Sequence, residues 1–109
     1  VSIVIPCFNQ GQYLPETIAS ALAQEYEHTE IVLVDDGSTD VETQHIISKL
    51  RDRKIRAFRI KNSGLASARN FGIRKAKGKY ILPLDADDKI HASYVKEAIE
   101  LFQTRNDIG

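Results

Sequence analysis

An open α/β sheet is what this sequence predicts: about four mostly parallel strands with helices packed on both faces. Three observations lead there. Apolar, β-branched runs recur at residues 1–5, 30–34, 55–60 and 79–84. Segments with helical periodicity separate each run from the next. Strict alternation of the two favours a parallel sheet joined by right-handed crossovers. No repeat, low-complexity stretch or linker interrupts the chain, so residues 1–109 read as one unit.

Each element has its own local signature. After the first run, Pro15 suits an opening helical turn, and Leu14, Ile18 and Leu22 recur at four-residue spacing. After the second, Thr39 followed by Glu42 is a capping-box pattern, with Ile46 and Leu50 as the buried stripe. Ser63 is expected to cap a third helix whose inner face reads Leu65, Ala68, Gly72 and Ala76, with Gly78 as its stop. Val95, Ala98, Ile99 and Phe102 form one face of a last helix.

Composition narrows the class. Hydrophobic residues make up 42% of the 109 positions and charged residues 28%, as in an ordinary domain that can bury a core. No apolar run approaches the roughly 20 residues that span a bilayer. A lone cysteine, Cys7, excludes an intramolecular disulfide and argues against a Cys-based zinc site. No signal peptide is visible, and a first residue of Val1 with no Met reads as a start downstream of the native one. The zero net charge conceals segregation. Residues 1–48 carry eight acids and no Lys or Arg, whereas residues 49–83 carry twelve basic residues and one acid. Such a basic middle suits a phosphate-bearing small molecule, nucleic acid or an anionic membrane surface, or is simply a solvated face. Phe58 is the only ring among the cations from Lys49 to Lys61, too sparse an interleaving for nucleic acid.

In a doubly wound sheet the ligand site lies outside the carboxyl ends of the strands, at the switch point. Those ends read Pro6-Cys7-Phe8-Asn9, Asp35-Asp36-Gly37-Ser38, Asn62-Ser63-Gly64 and Asp85-Ala86-Asp87-Asp88. Asp85 and Asp87 are hard oxygen donors at a spacing able to share a magnesium or manganese ion, which in turn recruits phosphates. Asp88 suits a cap on the following helix. Of the pair at the second strand end, Asp36 is expected to meet a base or ribose donor and Asp35 to support it through a turn. The small residues from Ser63 to Ala68 let backbone N–H groups approach an anion, and Arg69 offers a forked guanidinium for a diphosphate. His28, His45 and His91 have no metal-ligand spacing, and Cys7 reads as a buried, inert thiol. Neither a Walker loop nor Gly-x-Gly-x-x-Gly occurs.

Four blocks then stand in order: VSIVIPCFN at 1–9, VDDGSTD at 34–40, NSGLASARNFG at 62–72 and LDADD at 84–88. Together they resemble the family-2 glycosyltransferases over nearly the whole chain. That resemblance implies a Rossmann-like GT-A fold and an inverting, metal-dependent transfer of sugar from a nucleotide-sugar donor, most often a UDP-sugar. It implies Pro6, Phe8 and Asn9 beside the base, Asp35 and Asp36 at uracil or ribose, and Gly64 and Arg69 near base or phosphate. Asp85 and Asp87 match the family's DxD element, the first addressing ribose or metal and the second ligating Mn2+ or Mg2+. It further implies a saccharide or lipid-linked acceptor and polysaccharide biosynthesis. A nucleotide-sugar donor and a free thiol fit a cytoplasmic setting, and the basic flank suits the inner face of an anionic membrane. The general base and acceptor pocket are expected beyond Gly109, so that residues 1–109 form the donor half and are inactive alone.

Other classes fit less well. A phosphoacceptor receiver needs an acidic pair after the first strand, where Pro6-Cys7-Phe8-Asn9 stands. Sugar nucleotidyltransferases carry a Gly-rich basic loop there, and residues 6–14 hold one Gly and no base. A degenerate, non-catalytic nucleotide-binding or assembly module of the same fold is the alternative, and the retained Asp36, Asp85 and Asp87 argue against it.

Overall fold

The computed structural model describes residues 1–108, with side chains through Gln103. Elements alternate as the sequence predicts: β1 (Ser2–Cys7), α1 (Leu14–Leu22), β2 (Glu30–Asp36), α2 (Val41–Ser48), β3 (Ile55–Ile60), α3 (Leu65–Lys75), β4 (Ile81–Pro83) and α4 (Tyr94–Ile108). All strand pairs are parallel, in the order β3-β2-β1-β4.

The two-residue period of the strands sends alternate side chains into two cores. Ile3, Ile5, Cys7, Ile31 and Leu33 face Leu14, Ile18 and Ala21 of α1 and Val95 and Ile99 of α4, with Ile46 and Ile47 of α2 at the margin. Val4, Val32 and Val34 face the other way, onto Ala68 of α3, with Phe58 and Phe71 beside them. Gly72 brings α3 down onto the sheet, since a Cβ there would lie 2.5 Å from Val4 Cγ1 and 3.1 Å from Val34 Cγ2.

Several local expectations are corrected. β1 and β2 run two residues further than their apolar cores, because register pairs Pro6 with Val34 and Cys7 with Asp35. Asp35 and Asp36 are therefore the last residues of a strand rather than loop residues. β4 is shorter than the run at 79–84, although Ser2 N–H still donates to Tyr80 O and Leu84 N–H to Val4 O beyond its ends. Asp40, not Thr39, caps α2: its carboxylate accepts from Thr43 N and from the Thr43 hydroxyl at 2.7 Å. Thr39 is diverted by Asn9, which accepts from its N–H and donates to its hydroxyl. Gly64, not Ser63, is the cap residue of α3. Leu65 is 43% exposed on the first turn of α3, outside the sheet contact made at Ala68 and Gly72. Gly78 lies beyond the end of α3, which is capped at Ala76, and donates its N–H to Ser2 Oγ.

Pro6 sits in an interior strand at no cost to the ladder. Val4 directs its carbonyl to the β4 side, and by the strand period so would Pro6 direct its missing N–H. The β4 pairing ends at Pro83, opposite Val4, so the chain has already peeled away there. The result is a gap between the carboxyl ends of β1 and β4, where the strand order reverses direction.

Candidate functional site

Four loops meet at the carboxyl edge, and hydrogen bonds tie the first three, after β1, β2 and β3, to one another. Asn9, in the left-handed region at φ 53°, accepts from Thr39 N and Asp40 N, both at 2.9 Å, and its own N–H donates to Ser38 Oγ. The loops after β1 and β2 therefore act as one piece. Asp35 accepts from Ser38 N at 2.9 Å and pairs with Arg59 at 2.7 Å, while Arg59 also donates to Ser38 O. Asp36 faces the opposite side of the sheet and accepts from Ser63 N at 2.9 Å and Gly64 N at 3.0 Å. Both carboxylates are buried. Each accepts two donors, and a carboxylate has about four acceptor positions, so capacity for a ligand donor remains.

Gly64 makes the entry to α3 possible. Its φ is 100°, a conformation that L side chains rarely adopt, and nothing lies within 4 Å of where a Cβ would stand. The space above that backbone is open to an approaching group. Arg69, on the next turn, is half-buried, and its Nη2 lies 3.7 Å from Asp85 Oδ1. Its Nε is buried and has no hydrogen-bond partner among the described residues. A cleft of about 480 Å³ lies beside this pair, lined by Arg69, Pro83, Asp85, Asp88, Lys89 and Tyr94.

The acidic loop closes on itself, with Asp88 N–H donating to Asp85 O at 3.0 Å. Asp85, Asp87 and Asp88 are exposed, and one carboxylate oxygen from each lies within 4.8 Å of the others. Oxygen donors so gathered fit a magnesium- or manganese-sized ion that keeps part of its water shell. Asp88 joins this cluster and does not cap the following helix, since α4 begins six residues later at Tyr94.

Chemistry elsewhere is quiet. Burial pushes the Cys7 thiol up to about 11, against a smaller opposing effect of a backbone hydrogen bond with Gln10, so it carries no thiolate at neutral pH. His28, His45 and His91 lie outside the acid cluster. Sequence reading missed the groups that hold the site. Arg59 follows from the alternation of β3 once its register opposite Asp35 is known. Thr17, Ser20 and Gln24 share one face of α1 and its C-terminal extension, a spacing visible in sequence but silent about what it touches.

Comparison with known proteins identifies the frame. Residues 2–108 match the model for "Glycosyl transferase family 2". The chain belongs to that family. A glycosyltransferase of Rickettsia felis is 39% identical over 106 residues, covering 97% of this chain and 18% of that protein. Glycosyltransferase GlyG of Streptococcus pneumoniae is 36% identical over 97% of this chain and 36% of its own length. The chain thus spans a fraction of the length of these family-2 relatives. Among solved structures, S. aureus TarS 1–349 in complex with UDP superposes with a TM-score of 0.84 at 30% identity, over 94% of this chain and 32% of that one. The same TarS fragment has been solved with UDP-GlcNAc. The α/β sheet and its helices are those of the GT-A fold of TarS.

Proposed function

We propose that this chain forms the donor site of an inverting glycosyltransferase that takes a sugar from a UDP-sugar and needs Mn2+ or Mg2+. The observation that carries the reading is the exposed Asp85, Asp87 and Asp88 cluster, with Asp85 ion-paired to Arg69 and both lining a cleft at the carboxyl end of β4. UDP and UDP-GlcNAc complexes of TarS support a uridine nucleotide as the ligand class.

Each residue has a task in this reading. Asp85 and Asp87 hold the ion, and Asp88 helps to keep its water shell. Bound there, the ion supplies Lewis-acid stabilisation of the departing diphosphate. Arg69 adds a forked donor to the same phosphates, and its unpartnered Nε gains an acceptor. Pro6, Phe8 and Asn9 flank the base, and Asp35 and Asp36 fix the strand end that receives base or ribose. Gly64 keeps the approach open. Attack by an acceptor hydroxyl on the face away from the diphosphate inverts the anomeric centre. None of the described residues is assigned as the base that takes the acceptor's proton.

The surface far from this edge also has a task. Lys49, Arg51, Arg53, Arg74, Lys75, Lys77 and Lys79 are exposed at or near the amino ends of β3 and β4 and the C-termini of α2 and α3. That end suits peripheral attachment to an anionic membrane, where lipid-linked acceptors reside.

Calorimetric titration of UDP into the full-length protein, with Mn2+ and with EDTA, tests the donor site. Binding that requires Mn2+ and is lost in Asp85→Asn/Asp87→Asn is expected. Binding indifferent to both metal and substitution overturns the reading and favours a non-catalytic binding module.

A further inference from the structure

The acidic loop is held from below by α1. Ala86, between the two exposed aspartates, is 1% exposed, and its carbonyl accepts the Thr17 hydroxyl at 2.6 Å. Thr17 is itself 1% exposed. Its hydroxyl also lies 3.1 Å from Tyr13 O, but one proton favours the shorter bond. Further along, Ser20 Oγ accepts from Ile90 N, and the Gln24 amide donates to His91 O and accepts from Val95 N, both at 2.9 Å. Thr17, Ser20 and Gln24 therefore line up along one face and receive residues 86, 90, 91 and 95 in order.

Drawing the Ala86 peptide inward has a geometric consequence. The side chains of its neighbours, Asp85 and Asp87, are left exposed on the same loop, with their carboxylates close enough to share an ion. Without the hydroxyl, the Ala86 carbonyl would be buried with no donor, and the loop would shift to satisfy it. Two side chains that share an ion feel such a shift as a change in spacing.

We propose that Thr17 is a positioning residue for the metal pair, setting the separation of Asp85 and Asp87 through the Ala86 carbonyl. The inference rests on the donor-site reading above. Groups that orient metal ligands from behind commonly change metal affinity by about 10–100-fold when removed.

The test is UDP titration of the full-length protein by calorimetry at a series of Mn2+ concentrations, with Thr17→Val and Thr17→Ser. Thr17→Val is expected to raise the Mn2+ concentration for half-saturation about tenfold. UDP affinity at saturating Mn2+ stays near the wild-type value, and Thr17→Ser restores the Mn2+ response. General damage to the fold would instead weaken UDP binding at every Mn2+ concentration, which overturns the inference. So does an unchanged Mn2+ midpoint in Thr17→Val, or equal weakening in Thr17→Ser. Should Thr17→Val not fold, Thr17→Ala removes the hydroxyl without the second γ-methyl and is read in the same way. A wild-type protein that binds UDP without Mn2+ overturns the donor-site reading itself, and this inference with it.

Discussion

Glu30 shows how one side chain can close an edge of the sheet. Its carboxylate accepts from the Ser2 hydroxyl, from Lys77 N at 2.6 Å and from both Nε and Nη2 of Arg56, the latter at 2.8 Å. Arg56 passes the connection on to Lys75 O at the end of α3. Burial raises the affinity of this carboxyl for a proton, yet the Ser2, Lys77 and Arg56 donors outweigh it and hold the group below its ordinary value. A depressed value means that the folded state favours the charged form. The stabilisation is therefore complete above the unfolded-state value of about 4.3 and is lost as pH falls through the folded one. Glu30→Gln should cost about 1–2 kcal/mol at pH 7 and less at pH 3, read by urea unfolding at both. An equal cost at the two pH values would place the effect in shape rather than charge. Asp36 works by similar means at the opposite edge, spending its two bonds on the N–H groups that open α3.

Among the elements, α3 depends most on small residues, and two glycines serve it for different reasons. Gly64 is required by its backbone angle and Gly72 by contact with the sheet. Gly72→Ala gains helix propensity of up to about 1 kcal/mol but places a methyl within 2.5 Å of Val4 Cγ1. Overpacking of this kind costs about 1–3 kcal/mol, so net destabilisation is expected in urea unfolding. Val4→Ala in the same chain should relieve part of it, and strict additivity of the two would remove contact as the cause. The elements themselves were legible, because β-branched runs and four-residue spacings report burial directly: Ile3, Ile31, Leu14, Ile18 and Val95 all lie in the core. Cap residues and strand ends were not, since distant partners decide them. Thr39 has the right chemistry to cap α2 but is claimed by Asn9, 30 residues earlier. Of the site, the clustering of Asp85 and Asp87 could be read from spacing alone. The support beneath them could not, because Thr17 meets Ala86 across 69 residues and only the packing of α1 against the loop after β4 brings them together.

On the scale of the whole molecule, the charge segregation along the sequence becomes a polarity in space. Parallel topology sends every strand end, and the acids Asp35, Asp36, Asp85, Asp87 and Asp88, to one edge. Helices return in the opposite direction, so the basic residues that follow α2 and α3 gather at the other, where Arg53, Lys54 and Lys77 border a cleft with Glu27 and Glu30. Cations at helix C-termini also complement the helix dipoles, which is reason enough for some of them to be there. Six-residue strands separate the two edges by about 20 Å, more than twice the screening length of roughly 8 Å in physiological salt. The basic end can therefore meet an anionic surface without drawing the acidic edge toward it, leaving the cleft beside Asp85 open to solvent. No helix among the described residues is long and apolar enough to cross a membrane. Co-sedimentation of the full-length protein with vesicles containing phosphatidylglycerol should exceed that with phosphatidylcholine alone and fall as salt rises. Each cation near such a surface contributes about 1 kcal/mol, so Arg53→Ala/Lys77→Ala/Lys79→Ala should weaken binding by about 100-fold while leaving Mn2+-dependent UDP binding intact. Binding that ignores lipid charge and salt would assign the basic end to the solvated surface alone. Loss of UDP binding in the triple variant would show that the two edges are coupled, contrary to their separation.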